Sequence, residues 1–116
     1  MELGHIEILV EDPKRSQHFY CDVLGFELVT IQNEQFIWMK KGQQEFLIRP
    51  GKNKEATSEY EAASLGFVLY NDNVEESLKE LELKGVEMKG TVDSSKCHTF
   101  TDPDGNWFQL VNPNDH

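Results

Sequence analysis

Cysteine is scarce in this chain, and basic residues are outnumbered. Cys21 and Cys97 are the two cysteines of 116 residues, and they show no CxxC or ligand-like spacing, so a disulfide framework, a zinc knuckle and a thiol redox motif are all excluded. Eleven Lys and Arg stand against 21 Asp and Glu, a net charge of -10, which argues against any partner that presents a phosphate backbone. No apolar run approaches the roughly 20 residues that span a bilayer, and Glu2 directly after Met1 leaves no signal peptide visible. The expectation is a soluble, cytoplasmic protein with reduced thiols and no nucleic-acid or membrane partner. The acidic balance serves solubility, and it would also attract a cationic ligand.

What is present is ordinary globular material, with 38% hydrophobic and 28% charged residues, enough for one domain with a real core. Leu3 to Val10 alternates as a strand, with His5, Glu7 and Leu9 on one face and Ile6, Ile8 and Val10 on the other. Asp12 and Pro13 open a helix that carries Phe19, Tyr20, Val23 and Leu24 inward and stops at Gly25. Phe26 to Ile31 reads as a strand, and Gln35 to Met39 with Glu45 to Arg49 as a hairpin about Lys40-Lys41-Gly42. Residues 51–63 are polar and read as a linker.

The pattern then begins again. Leu65 to Tyr70 is a strand, and Asp72 or Asn73 caps a helix bearing Val74, Leu78, Leu81 and Leu83 that ends at Gly85. Val86 to Met88 is a short strand, and Phe100 to Pro113 a final hairpin turning on Asp102-Pro103-Asp104-Gly105. Asp12 and Asp72, Gly25 and Gly85, and Glu27 and Glu87 are each 60 apart, whereas Gly42 and Gly105, and Pro50 and Pro113, are each 63 apart. Five ordered coincidences describe a duplication. Each half reads β-α-β-β-β, an α+β fold of two modules, approximately 1–50 and 64–113, in a single domain.

A four-stranded unit with one helix covers one face of its sheet, so the second faces should curve around a shared cleft. Its expected lining is His5, Glu7, Leu9, Leu65, Phe67, Leu69, Trp107, Gln109 and Val111. Trp38, Trp107, Phe67, Phe36 and Phe46 are the aromatic candidates for stacking a planar ligand. Arg49 could hold a carboxylate or phosphate, and His98 could serve as an acid or base, or be a surface strand histidine. Glu7 and Glu45 would make an acidic floor, though Glu7 could equally pair with a cation on a neighbouring strand. His18 and His116 do not resemble ligands.

The stretches Gly4-His5-Ile6 to Val10-Glu11-Asp12, Phe19-Tyr20 with Val23-Leu24-Gly25-Phe26, and Phe100 to Asn106 resemble the vicinal oxygen chelate superfamily of glyoxalases, bleomycin-resistance proteins, fosfomycin-resistance proteins and extradiol dioxygenases. The resemblance spans essentially the whole chain and implies paired βαβββ modules around a cleft, often completed by dimerisation. It also implies metal ligands, His or Glu, on the first and last strands of each module. His5 matches. Its counterpart 60 residues on is Leu65, and Gln109 stands where the metal enzymes usually carry Glu. For the last strand of the first module, the glycine spacing selects Phe46 and face polarity selects Glu45. The best metal set is therefore His5, Glu45 and Gln109, for Zn, Ni, Mn or Fe, and it lacks an imidazole and a carboxylate.

Two readings from different classes follow, with a third behind them. One is a metal-free binding protein, similar to bleomycin-resistance proteins, that sequesters a cationic or aromatic small molecule as a homodimer, with His5, Glu7, Trp38, Glu45, Arg49, Phe67, His98, Trp107 and Gln109 as contacts. The other is a metal-dependent lyase, isomerase or dioxygenase using His5, Glu45 and Gln109. The third is a degenerate paralogue acting as a structural or regulatory partner.

Overall fold

The computed structural model describes residues 1–115; His116, assigned no ligand role from sequence, lies outside the described residues. The chain divides into two compact units, Met1–Asn53 and the segment from Lys54 onward, and each is described by itself.

The first unit is a four-stranded sheet in the order β1-β4-β3-β2, with β1 at His5–Val10, β2 at Glu27–Gln32, β3 at Phe36–Lys41 and β4 at Gln44–Pro50. β1 and β4 run parallel, in the register His5↔Glu45, Glu7↔Leu47 and Leu9↔Arg49. β4 and β3 are antiparallel, with Lys40 opposite Glu45 and Trp38 opposite Leu47. Because paired residues share a face, this register settles the sequence ambiguity on β4: Glu45 lies on the His5 face and Phe46 on the other.

Helix α1, Pro13–Gln17, starts where Asp12 accepts from the Arg15 amide (3.3 Å) and Pro13 fills the first turn, a position that needs no N–H. It continues as a π-helical turn over His18–Val23, and Leu24 donates to the Phe19 carbonyl at 3.0 Å. This segment buries Phe19 and Tyr20 with Phe26, Phe46, Ile8, Val10, Ile37, Met39 and Ile48, the core of the unit. Tyr20 stands edge-on to Phe26 at 5.3 Å, and Phe26 tilts against Phe46 at 5.2 Å.

The second unit departs from the expected plan. Its sheet has three strands in the order β5-β7-β6, with β5 at Gly66–Tyr70, β6 at His98–Thr101 and β7 at Trp107–Val111. The strand expected at Val86–Met88 does not form. The three residues stand between two left-handed glycines, Gly85 (φ 90) and Gly90 (φ 96), which leaves no room for a longer extended run. The segment joins β6 through scattered bonds instead, Lys89 N–H to the Thr99 carbonyl (2.8 Å) and Thr99 N–H to the Gly90 carbonyl (2.9 Å).

Helix α2, Val74–Leu83, has Asn73 as its cap, accepting from the Glu76 amide at 3.3 Å, with Glu75 and Glu76 favourably placed in its first turn. Leu81 is buried, but Leu83 is 88% exposed and takes no part in the core, contrary to the helical spacing.

Candidate functional site

The face of the first sheet opposite α1 gathers most of the polar candidates. His5 and Glu7 alternate along β1, Glu45, Leu47 and Arg49 along β4, and Phe36, Trp38 and Lys40 along β3. His5 Nε2 lies 2.9 Å from Glu7 Oε2, and Arg49 Nη1 donates to Glu7 Oε1 at 2.8 Å, so one carboxylate bridges an imidazole and a guanidinium. The Arg49 hydrogen bond, followed by that of His5, lowers the Glu7 pKa below the usual carboxylate range.

Trp38 is set by two contacts. Its indole N–H donates to Gln32 Oε1 at 2.9 Å, and the His5 ring meets it edge-on with centroids 4.7 Å apart. Arg49 lies 5.8 Å above the Phe36 ring, which fixes the guanidinium from the other side. Lys40 approaches Glu27 at 3.7 Å. Arg49 and Lys40 thus face carboxylates of their own, and Glu45, exposed beside His5, keeps a carboxylate outside these pairs. This face therefore gathers a held indole, a held imidazole and an accessible carboxylate.

In the second unit the candidates divide between two faces. β5 pairs parallel with β7 in the register Gly66↔Trp107, Phe67↔Phe108 and Val68↔Gln109, and Thr99 of β6 lies opposite Gln109. Phe67 was expected beside Gln109; it lies instead on the reverse face, 5.2 Å from Phe108, which stacks on Phe100 at 5.3 Å. Leu69 follows Phe67 onto that face and Val68 takes the Gln109 face, both reversing the expected phase. Leu65 precedes the strand.

His98, opposite Leu110, is also on the reverse face, where it lines a cavity of about 390 Å³ with Asp72, Asn73, Glu75, Lys96 and Asn112. Trp107 and Gln109 do share a face, but neither is open. Trp107 is 3% exposed, donates to the Thr57 carbonyl and hydroxyl (3.2 Å each), and meets Tyr60 edge-on at 6.0 Å. Gln109 is 4% exposed, and its Oε1 has no hydrogen-bond partner.

The implied metal is tested by these donors. The counterpart of His5 by sequence spacing, Leu65, stands just before β5 and carries no donor, nor does Gly66, the first residue of that strand. His5 is engaged by Glu7, and Gln109 offers one neutral oxygen. Among the described residues no three His, Cys, Asp or Glu side chains converge as a metal site. By chemistry alone the expected set supplies one imidazole, one carboxylate and one neutral amide oxygen, fewer charged donors than a divalent ion usually takes.

Sequence reasoning did not single out Gln32 and Thr57, which fix the two indoles. Gln32 ends a strand with no polar pattern around it, and Thr57 sits in the polar stretch read as a linker. The hydrogen bonds that give them meaning span 6 and 50 residues.

A βαβββ first unit, with a second unit of related strand order, defines an α+β fold of repeated modules. The chain belongs to the Glyoxalase/Bleomycin resistance protein/Dioxygenase superfamily, whose profile matches residues 2–110. No curated protein sequence matches it significantly.

Among solved structures it is similar to FosX, a genomically encoded fosfomycin resistance protein of Listeria monocytogenes (TM-score 0.76, 21% identity, 96% of this chain and 90% of that one). It is similar to TnmS3, an antibiotic binding protein of a Streptomyces species (TM-score 0.74, 20% identity, 97% of both chains). It is also similar to a lactoylglutathione lyase of Agrobacterium tumefaciens (TM-score 0.73, 18% identity, 97% and 93%). These likenesses establish the fold. Among the described residues no helix is long and apolar enough to cross a membrane.

Proposed function

We propose that this protein binds a small planar molecule bearing a cationic or hydrogen-bond-donating group, on the open face of its first sheet and without a resident metal. The observation that carries the reading is Trp38, held by Gln32 and His5 beside two carboxylates, the bridged Glu7 and the accessible Glu45. A held indole gives a stacking surface at little cost in side-chain ordering, and the carboxylates favour a positive guest. Arg49 faces Glu7, so a carboxylate or phosphonate ligand would have to displace that pair. The likeness to an antibiotic binding protein supports the sequestering role.

The test is fluorescence titration and thermal shift with ethidium, a planar cation, and with bleomycin, which carries a planar bithiazole and a cationic tail. Binding should quench Trp38 in the Trp107→Phe variant, and saturation at 100 times the dissociation constant adds about 2.7 kcal/mol of stability. Affinity should fall about tenfold or more in Trp38→Ala and several-fold in Glu45→Gln. No shift with either probe, or binding indifferent to both substitutions, overturns the reading. Stoichiometric Zn, Ni, Mn or Fe in purified protein, lost in His5→Ala, would replace it with a metal-dependent lyase, isomerase or dioxygenase.

A further inference from the structure

The face of the second sheet that carries Gln109 is covered in part by the chain's own residues 55–64. Trp107, Gln109 and Val111 alternate along β7 on this face, with Gly66 and Val68 of β5 and Thr99 of β6 beside them. Tyr60 packs at both ends of that row. Its ring meets Trp107 edge-on at 6.0 Å, and it packs against the cluster of Val92, Cys97 and Val111. A Cβ built on Gly66 would stand 2.5 Å from the Tyr60 hydroxyl, so the bare glycine makes room for the phenol. Gln109 is the residue between those two ends.

The amide gains nothing polar from this cover. Gln109 Oε1 is buried without a partner, and the donors around it are committed elsewhere. Thr99, opposite on β6, gives its hydroxyl to the Gly90 carbonyl at 3.1 Å, and the Trp107 N–H goes to Thr57. Val68, its β5 neighbour, has no side-chain donor. The cover is itself lightly held. None of residues 54–65 is buried. Several of its bonds run within the segment: Ala62 N–H to the Glu59 carbonyl, Ala63 N–H to the Tyr60 carbonyl, and the Ser64 hydroxyl to Glu55 at 3.0 Å.

We infer that residues 55–64 form a displaceable strap, and that Tyr60 occupies from within the chain a position for a planar aromatic molecule bearing an O–H or N–H donor. This site belongs to the second unit and does not rest on the ligand reading of the first sheet. The phenol makes the aromatic half of the match, edge-on to Trp107 and over the bare Gly66. Its tether holds the hydroxyl at Gly66, so Gln109 Oε1 stays unsatisfied. A free ring can turn its donor to that oxygen and make the hydrogen bond that the tethered ring does not. The strap competes with such a ligand, lowering its apparent affinity by the fraction of molecules in which the position is vacated. Displacement also releases the Trp107 N–H from Thr57.

The test uses p-cresol, the free counterpart of the tyrosine ring, and its methyl ether, which lacks the donor. The readout is the Trp107 indole N–H by NMR on the full chain, in a Trp38→Phe background where it is the one indole. Tyr60→Ala should speed exchange of this N–H about tenfold or more, with the β7 amides still protected. p-Cresol should shift the Trp107 signal of that variant and bind it about tenfold more tightly than it binds the chain with Tyr60 in place. It should also bind about tenfold more tightly than the ether does, a preference that Gln109→Met removes. Failure of p-cresol to bind Tyr60→Ala, or equal binding of the ether, overturns the inference. So does an indole N–H that exchanges no faster in Tyr60→Ala, which would make the tyrosine plain core. Should Tyr60→Ala fail to fold, the chain with Tyr60 decides. Millimolar p-cresol must then speed exchange of the Trp107 N–H and shift the Ala62 and Ala63 amides, and no change in either counts against the strap.

Discussion

Arg49 reaches diagonally across the β1–β4 pair to Glu7, at 2.8 Å, although its direct strand partner is Leu9. That diagonal sets the electrostatics of the open face. It satisfies the arginine and lowers the proton affinity of the carboxylate that also holds His5.

A titration prediction follows. A carboxylate whose folded pKa lies below its unfolded one contributes stability that is fully present above the unfolded pKa and is lost as pH falls through the folded one. Glu7 should therefore titrate below the usual carboxylate range by NMR. Arg49→Gln should raise its pKa more than His5→Asn does, because the arginine bond is the larger cause. Both pairs are exposed, so Glu7→Gln should change stability little at pH 7. A Glu7 that titrates normally in the wild type contradicts the network.

Gln109 Oε1 is buried without a partner, which costs the folded state part of the carbonyl's hydration. Gln109→Met keeps the length and removes the polar atom. It should raise stability by about 1 kcal/mol, read as a thermal midpoint higher by a few degrees. A fall in the midpoint would mean that the amide is satisfied in solution, by a buried water for instance.

The β6–β7 turn is held by one buried side chain. Asp102 Oδ1 accepts from the Asp104 and Asn106 amides at 2.9 and 2.8 Å, and Oδ2 from the Asn106 side chain at 2.8 Å. Gly105 completes the turn at φ +84, where an added Cβ would also stand 3.1 Å from Ala56 Cβ. Asp102→Ala should cost on the order of 2–3 kcal/mol in urea unfolding, since charged hydrogen bonds to buried groups are lost. Gly105→Ala should cost about 1 kcal/mol or more from backbone strain.

Cys21 tests burial chemically. Partial burial, with Asp22 adding a smaller effect, pushes its thiol pKa up, so the nucleophilic thiolate is scarce at pH 8. Its rate with a soluble disulfide reagent should fall below that of a free model thiol. Asp22→Asn should recover only a minor part of the difference.

Much of the fold was legible because it depends on local signals. Caps at Asp12 and Asn73, stops at Gly25 and Gly85, and the Asp102 turn each act within a few residues, and alternation along β1 and β4 assigned the His5 face correctly. The second unit was read less well. Transferring the 60-residue spacing from Ile6, Ile8 and Val10 onto β5 put Phe67 on the Gln109 face, but strand phase is fixed by long-range pairing, and β5 is set one residue differently against β7. The expected Val86–Met88 strand had strand-forming residues at both ends and no partner to complete it. Trp107 was legible as a strand aromatic, whereas its burial depends on Thr57, half the chain away.

That offset of strand phase has a consequence for any attempt to rebuild this protein by fusing its first half to itself. By the 60-residue spacing such a tandem would carry a second imidazole where the natural chain has Leu65, just ahead of β5. The turns would change little, since Gly42 and Gly105 already share positive φ (60 and 84). What separates the two halves is thus less their bends than the chemistry offered at the start of each first strand.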